Sequence, residues 1–98
     1  MTIDELQELF EKHSEEGDEF LQFERIKEPL SKRKDMHAFM ILDRMFPDGY
    51  SMIGHAEHDE FWLDINAEQL AEKATEELII DLIRCGLRFD GESLAFFA

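Results

Sequence analysis

Two hydrophobic periods run through this chain, and their order along it is what most limits the fold. Up to Phe46 apolar residues recur at helical spacing, whereas from Phe61 to Ile65 they alternate. Thr2-Ile3-Asp4-Glu5 reads as a capping box, after which Ile3, Leu6, Phe10 and His13, widened by Leu9, form one stripe of a helix. Gly17 stands where a left-handed C-terminal residue is expected. Asp35 to Phe46 is apolar on nearly every side, which predicts a buried helix stopped by Pro47-Asp48-Gly49. Between these two, Phe20 to Ile26 suits a short strand as well as a helical turn, and Pro29 parts it from the second helix.

From Tyr50 to Ile65 the period becomes two. Phe61, Leu63 and Ile65 alternate with Glu60, Trp62 and Asp64, and Glu57-His58-Asp59 divides them from Ser51 to Ala56, so a β-hairpin is predicted. Asn66-Ala67-Glu68-Gln69 is a second capping box, ahead of Leu70, Ala71 and Ala74 on a short helix. Thr75 caps another helix, whose face is Leu78, Ile79, Leu82 and Ile83 and whose stop is Gly86. Leu87, Phe89, Leu94 and Phe96 share one side of a closing hairpin if Asp90-Gly91 makes the reversal. Helix, helix, hairpin, two helices, hairpin is an α+β order. It predicts an antiparallel sheet of about four strands from two hairpins, with about four helices packed on one face. The length fits a single domain over residues 1–98.

Charge limits the partners. The chain has 24 Asp and Glu against 10 Lys and Arg, a net −14, which disfavours direct contact with nucleic acid or anionic membrane, since both need a dense basic surface. Only residues 25–46 reverse the sign, through Arg25, Lys27, Lys32, Arg33, Lys34 and Arg44. That stretch suits an exposed loop, or a dock for the acidic tract of a second copy in a homodimer. Cys85 is the single cysteine, so no internal disulfide forms and a cytoplasmic setting is expected; no targeting or membrane-spanning segment is apparent.

The strongest candidate for a functional surface is acidic. Asp4, Glu8, Glu11 and Glu15 repeat along one side of the first helix, at about 5–6 Å by helical rise. Asp64, Glu68, Glu72, Glu76 and Glu77 offer a second tract. Duplex DNA carries a charge per ~1.7 Å of axis, so rows from both tracts must align before they imitate it. Trp62 and Phe97 fall on the side of their strands opposite the apolar residues, which suggests an aromatic interaction patch.

Metal binding has one candidate cluster, His55, His58 and Asp59 at the first hairpin turn, with His37 and Cys85 available from elsewhere. Its spacing matches neither a metalloprotease helix nor a cysteine ribbon. His58 beside Asp59, or His37 with Asp43, is the nearest thing to an acid–base pair, and no nucleophile or phosphate-loop motif accompanies either. Cys85 ends an apolar helix face and His13 completes another, so both read as core residues. No enzyme activity and no cofactor are expected.

Asp35-Met-His-Ala-Phe-Met-Ile-Leu-Asp43, Ala56-Glu-His-Asp-Glu-Phe-Trp-Leu-Asp64, Ala74-Thr-Glu-Glu77, Cys85-Gly-Leu-Arg-Phe-Asp90 and Ser93-Leu-Ala-Phe96 resemble small acidic proteins of proteobacterial phages and prophages. The resemblance spans about the last two-thirds of the chain, and it implies a setting, takeover of a host or evasion of its defences, without a mechanism. The expected function is therefore a non-catalytic phage-type accessory protein. It would bind a host or phage protein of basic surface through Asp4, Glu8, Glu11, Glu15, Glu68, Glu72 and Trp62, imitating nucleic acid to inhibit a DNA-binding defence protein of the restriction or CRISPR kind. Two alternatives stay open: a metal-binding protein or enzyme using His55, His58 and Asp59, and a structural homo-oligomer built on the Trp62 and Phe97 face.

Overall fold

The Thr2 hydroxyl accepts a hydrogen bond from the Glu5 amide at 3.1 Å, and the Glu5 carboxylate accepts one from the Thr2 amide at 3.0 Å. This closed box starts α1 (Ile3–Glu11) where the sequence places it. The computed structural model describes residues 1–49 and 51–97; Tyr50, where the predicted hairpin segment begins, and Ala98 lie outside them. No helix among the described residues is long and apolar enough to cross a membrane.

After Glu11 the helix widens into a π-helical stretch, Lys12–Glu16, closed by the Gly17 amide on the Lys12 carbonyl at 3.0 Å. Gly17 itself is right-handed, at φ −82, so the expectation of a left-handed residue there is corrected: Asp18, at φ +52, makes the reversal. Phe20 to Ile26 resolves into a loop with a 3₁₀ turn at Phe23–Arg25. Helix α2 (Lys34–Met45) matches the expected Asp35 to Phe46 in kind, but it is not buried all round. His37, Ala38 and Leu42 are buried, while Met36 on the far side is 46 % exposed. A chain this short has too few elements to cover both sides of a helix.

Strands β1 (Ile53–Glu57) and β2 (Glu60–Leu63) form the first hairpin around His58-Asp59. Asn66 accepts from the Gln69 amide at 3.0 Å and starts α3 (Ala67–Lys73); Thr75 accepts from the Leu78 amide at 3.2 Å and starts α4 (Glu76–Arg84). Helix α4 ends in a Schellman motif: the Gly86 amide bonds the Ile83 carbonyl at 2.9 Å and the Leu87 amide bonds the Leu82 carbonyl at 3.0 Å. Gly86 adopts φ +95, and a Cβ there would lie 2.6 Å from the Leu21 Cδ2 atom. The chain then forms β3 (Arg88–Phe89) and β4 (Leu94–Phe97), whose turn is tied by Asp90 accepting from the Glu92 and Ser93 amides.

The four strands form one antiparallel sheet in the order β1-β2-β4-β3, with the four helices on one side. Phe10 of α1 meets Phe89, and Phe39 of α2 meets Phe96 edge to face, so the side bearing Phe89, Leu94, Phe96 and Leu63 is the helix side. Leu6, Leu42, Leu70, Ile79, Leu82, Ile83, Leu87 and Leu94 are fully buried between the layers. The expected α+β architecture is the observed one.

Candidate functional site: an acidic helical face

Capping fixes where α1 begins, and with it the direction in which each of its acids points. Asp4, Glu8, Glu11 and Glu15 are all exposed, opposite the buried Leu6 and Phe10. Glu15 lies on the π-helical stretch, where more residues fill each turn, so it departs from the α-helical line through the first three. Helix α3 packs beside α1. As a result Asp4, Glu68 and Glu72 line one open groove of about 370 Å³ with Met1, Thr2, Ile3 and Ala71. The Met1 α-amino group donates to the Ala71 carbonyl at 3.3 Å and pins the two helix ends together.

The acids of this chain divide into two populations. Glu19, Glu60 and Asp81 pair with arginines, and Glu76 and Glu57 lie against histidines. Among the described residues none of Asp4, Glu8, Glu11, Glu15, Glu68 and Glu72 is ion-paired; Glu11 accepts only a long bond from the Gln7 amide group, at 3.4 Å. These carboxylates repel one another without internal compensation, so a cationic surface is attracted to them as a group. His13, read from the sequence as a core residue, is half-buried; its Nε2 lies 2.9 Å from Glu76 on α4, and that hydrogen bond lowers the Glu76 carboxyl below its ordinary pKa.

Trp62 does not join this face. It projects from the opposite side of the sheet, where its ring lies 5.3 Å from that of His55. Strand pairing sets Ala95 between Trp62 and Arg88 on this side, and Ala95 is 1 % exposed. Phe97 is 54 % exposed there, under the Arg88 guanidinium at 4.1 Å, and Arg88 also pairs with Glu60. The outward aromatics predicted from alternation are thus present, on a surface separate from the acids.

His55, His58 and Asp59 are exposed around the hairpin turn, and no three His, Cys, Asp or Glu side chains converge on one point among the described residues. His55 approaches Glu57 at 3.5 Å. The pairing of His37 with Asp43 is not formed, because six residues on a helix turn the two side chains to different sides. Asp43 is exposed, whereas the buried His37 Nδ1 accepts from the Leu30 amide at 2.9 Å. Burial lowers the pKa of this imidazole below 6.5 against the opposing field of Asp81, so it is neutral at pH 7.

Cys85 is buried, and burial with the charges of Asp81 and Asp35 raises its thiol to about 12. A thiol reagent is therefore expected to label Cys85 only at the rate of unfolding, with the same label reacting fully in denaturant. Stoichiometric labelling of the native protein within seconds would contradict the burial.

One feature escaped the sequence reading. Glu19, 9 % exposed, accepts from Arg84 at 2.8 Å and pairs with Arg25, fastening the loop after α1 onto the end of α4. The cue in the sequence is slight, since Glu19 stands six residues before Arg25, where the basic stretch begins. Compared with known proteins, the chain matches no protein-family model, no curated protein and no solved structure.

Proposed function

We propose that this chain is a non-catalytic binding protein whose acidic helical face engages a partner of basic surface. The observation that carries the reading is the set of six exposed carboxylates without ion pairs, three of them around one groove between α1 and α3. Two adjacent helices supply the second row of charge that one stripe lacks, which favours imitation of a nucleic acid backbone over a single-point contact. The resemblance to phage proteins adds a setting: an accessory protein in the host cytoplasm that occupies the nucleic-acid site of a defence protein. Opposite charge then speeds encounter and makes the complex salt-sensitive.

The test is a pull-down from bacterial lysate at low and high salt with the wild type and the triple variant E8K/E11K/E15K. The wild type is expected to retain a nucleic-acid-binding protein that high salt releases, and the triple variant to lose it at least tenfold. Its melting temperature should change little, since exposed helix charges contribute only ~0.5 kcal/mol each. Equal capture by wild type and variant would overturn the proposal.

A further inference from the structure

Strand β1 is the outermost strand of the sheet on its side, and all five of its residues, Ile53–Glu57, are exposed. The opposite edge, β3, is only two residues long. Proteins ordinarily guard a free edge with Lys, with Pro or with a covering element, because its unpaired N–H and C=O groups accept any strand that approaches. Among the described residues nothing covers this edge, β1 carries neither Lys nor Pro, and its one charge, Glu57, stands at the end beside the turn. Gly49 to Ala56 is the longest run without Asp, Glu, Lys or Arg, 8 residues in a chain that is 35 % charged, and β1 lies within it up to its last residue. A bulge-type shift of register between Ile53 and His55 limits the regular part of this edge to His55, Ala56 and Glu57.

Neutrality of this kind suits one occupant in particular. About a two-fold axis each surface meets its own copy, so a strand with the charge typical of this chain would set like against like. A foreign basic partner gains nothing from an uncharged strand and is drawn to the acidic helices instead. We infer that β1 is a pairing edge for a second copy of this chain, the two β1 strands joining antiparallel into one continuous sheet. Among the described residues the hydrogen-bond pattern leaves one donor and one acceptor of each copy for it, both on Ala56. Met52 accepts from Asp64 across the hairpin at 2.9 Å, and Glu57 pairs with Glu60 beside the two-residue turn. Alternation along the ladder then turns the Ala56 N–H and C=O away from β2, toward the open side. His55 and Trp62, stacked next to the edge, add aromatic area to the contact.

Pairing brings two chains of −14 together, so it strengthens as salt shortens the Debye length from about 10 Å at 0.1 M to about 3 Å at 1 M. Binding through the acidic face weakens under the same change, and failure of one reading is therefore distinguishable from failure of the other. The experiment is sedimentation equilibrium of the full chain in low and high NaCl. The expected mass is 11.6 kDa at low salt, rising toward twice that at high salt, with at least tenfold tighter association. A56P removes the outward N–H, and A56E sets carboxylates against each other across the axis; each should abolish the dimer. If A56P fails to fold, the exposed A56E decides. A monomer at every salt concentration, association weakened by salt, or a dimer indifferent to A56E would overturn the inference.

Discussion

Leu82→Ala is expected to lower the unfolding free energy by about 3–5 kcal/mol, the range for truncating a fully buried leucine whose surroundings cannot collapse. Leu82 is 0 % exposed, and α4, which carries it, packs against α1, α2 and the loop between them. A domain of this size has about 5–15 kcal/mol in total, so the variant loses about a fifth or more of its stability. Urea unfolding followed by circular dichroism would measure it as a lower midpoint with an unchanged slope. A loss under ~1 kcal/mol would mean that the layer beneath α4 is not the principal core.

Glu19→Ala should cost about 2–4 kcal/mol at neutral pH, because it leaves Arg84, whose Nε is already buried without a partner, with only the long contact to Asp81 at 3.7 Å. Burial pushes the Glu19 carboxyl up, but bonds to Arg25 and Arg84 outweigh it and hold the group below its ordinary 4.5. A depressed pKa means that the stabilisation is complete above the ordinary value and is lost as pH falls through the folded one. The gap between wild type and variant, measured by denaturant at pH 7 and again below about 4, should therefore narrow on acidification. A gap independent of pH would show that Glu19 acts by packing alone. The same contact restrains Asp18 and Leu21, whose φ values of +52 and +62 are unfavourable for residues other than glycine. Hydrogen exchange confined to the loop would reveal whether the variant opens there first.

Legibility of the fold followed the range of the forces involved. Caps at Thr2, Asn66 and Thr75 and the stop at Gly86 depend on neighbours within a few residues, and each appears where the sequence places it. So do both hairpins, because alternation sets the side on which Phe61 and Phe96 stack, at 5.3 Å, and the side on which Trp62 projects. The misreadings lie where distant partners decide. Lys12–Glu16 relaxes to a wider helix where His13 reaches Glu76, 63 positions along the chain. The exposed side of α2 reflects how little of the chain remains to cover it, which no local period encodes. Joining of the hairpins through β2 and β4 spans α3 and α4 in sequence, a range that no local period encodes. For the candidate site, the six carboxylates were legible as stripes. The grouping of Asp4, Glu68 and Glu72 around one groove depends on α1 lying beside α3, and the separation of Trp62 from the acids on the sheet having two sides.

The position of β4 has a consequence for synthesis. It lies inside the sheet, between β2 and β3, although it comes last of the four strands in the chain. Until residues 94–97 emerge from the ribosome, β1 and β2 are an isolated ribbon, and two strands alone are barely stable in water. The buried cluster to which α4 contributes Leu82 and Ile83 also lacks Leu94 until then. A nascent chain of this protein therefore acquires its tertiary structure in one late step, and a ribosome stalled before those residues should carry a protease-sensitive chain.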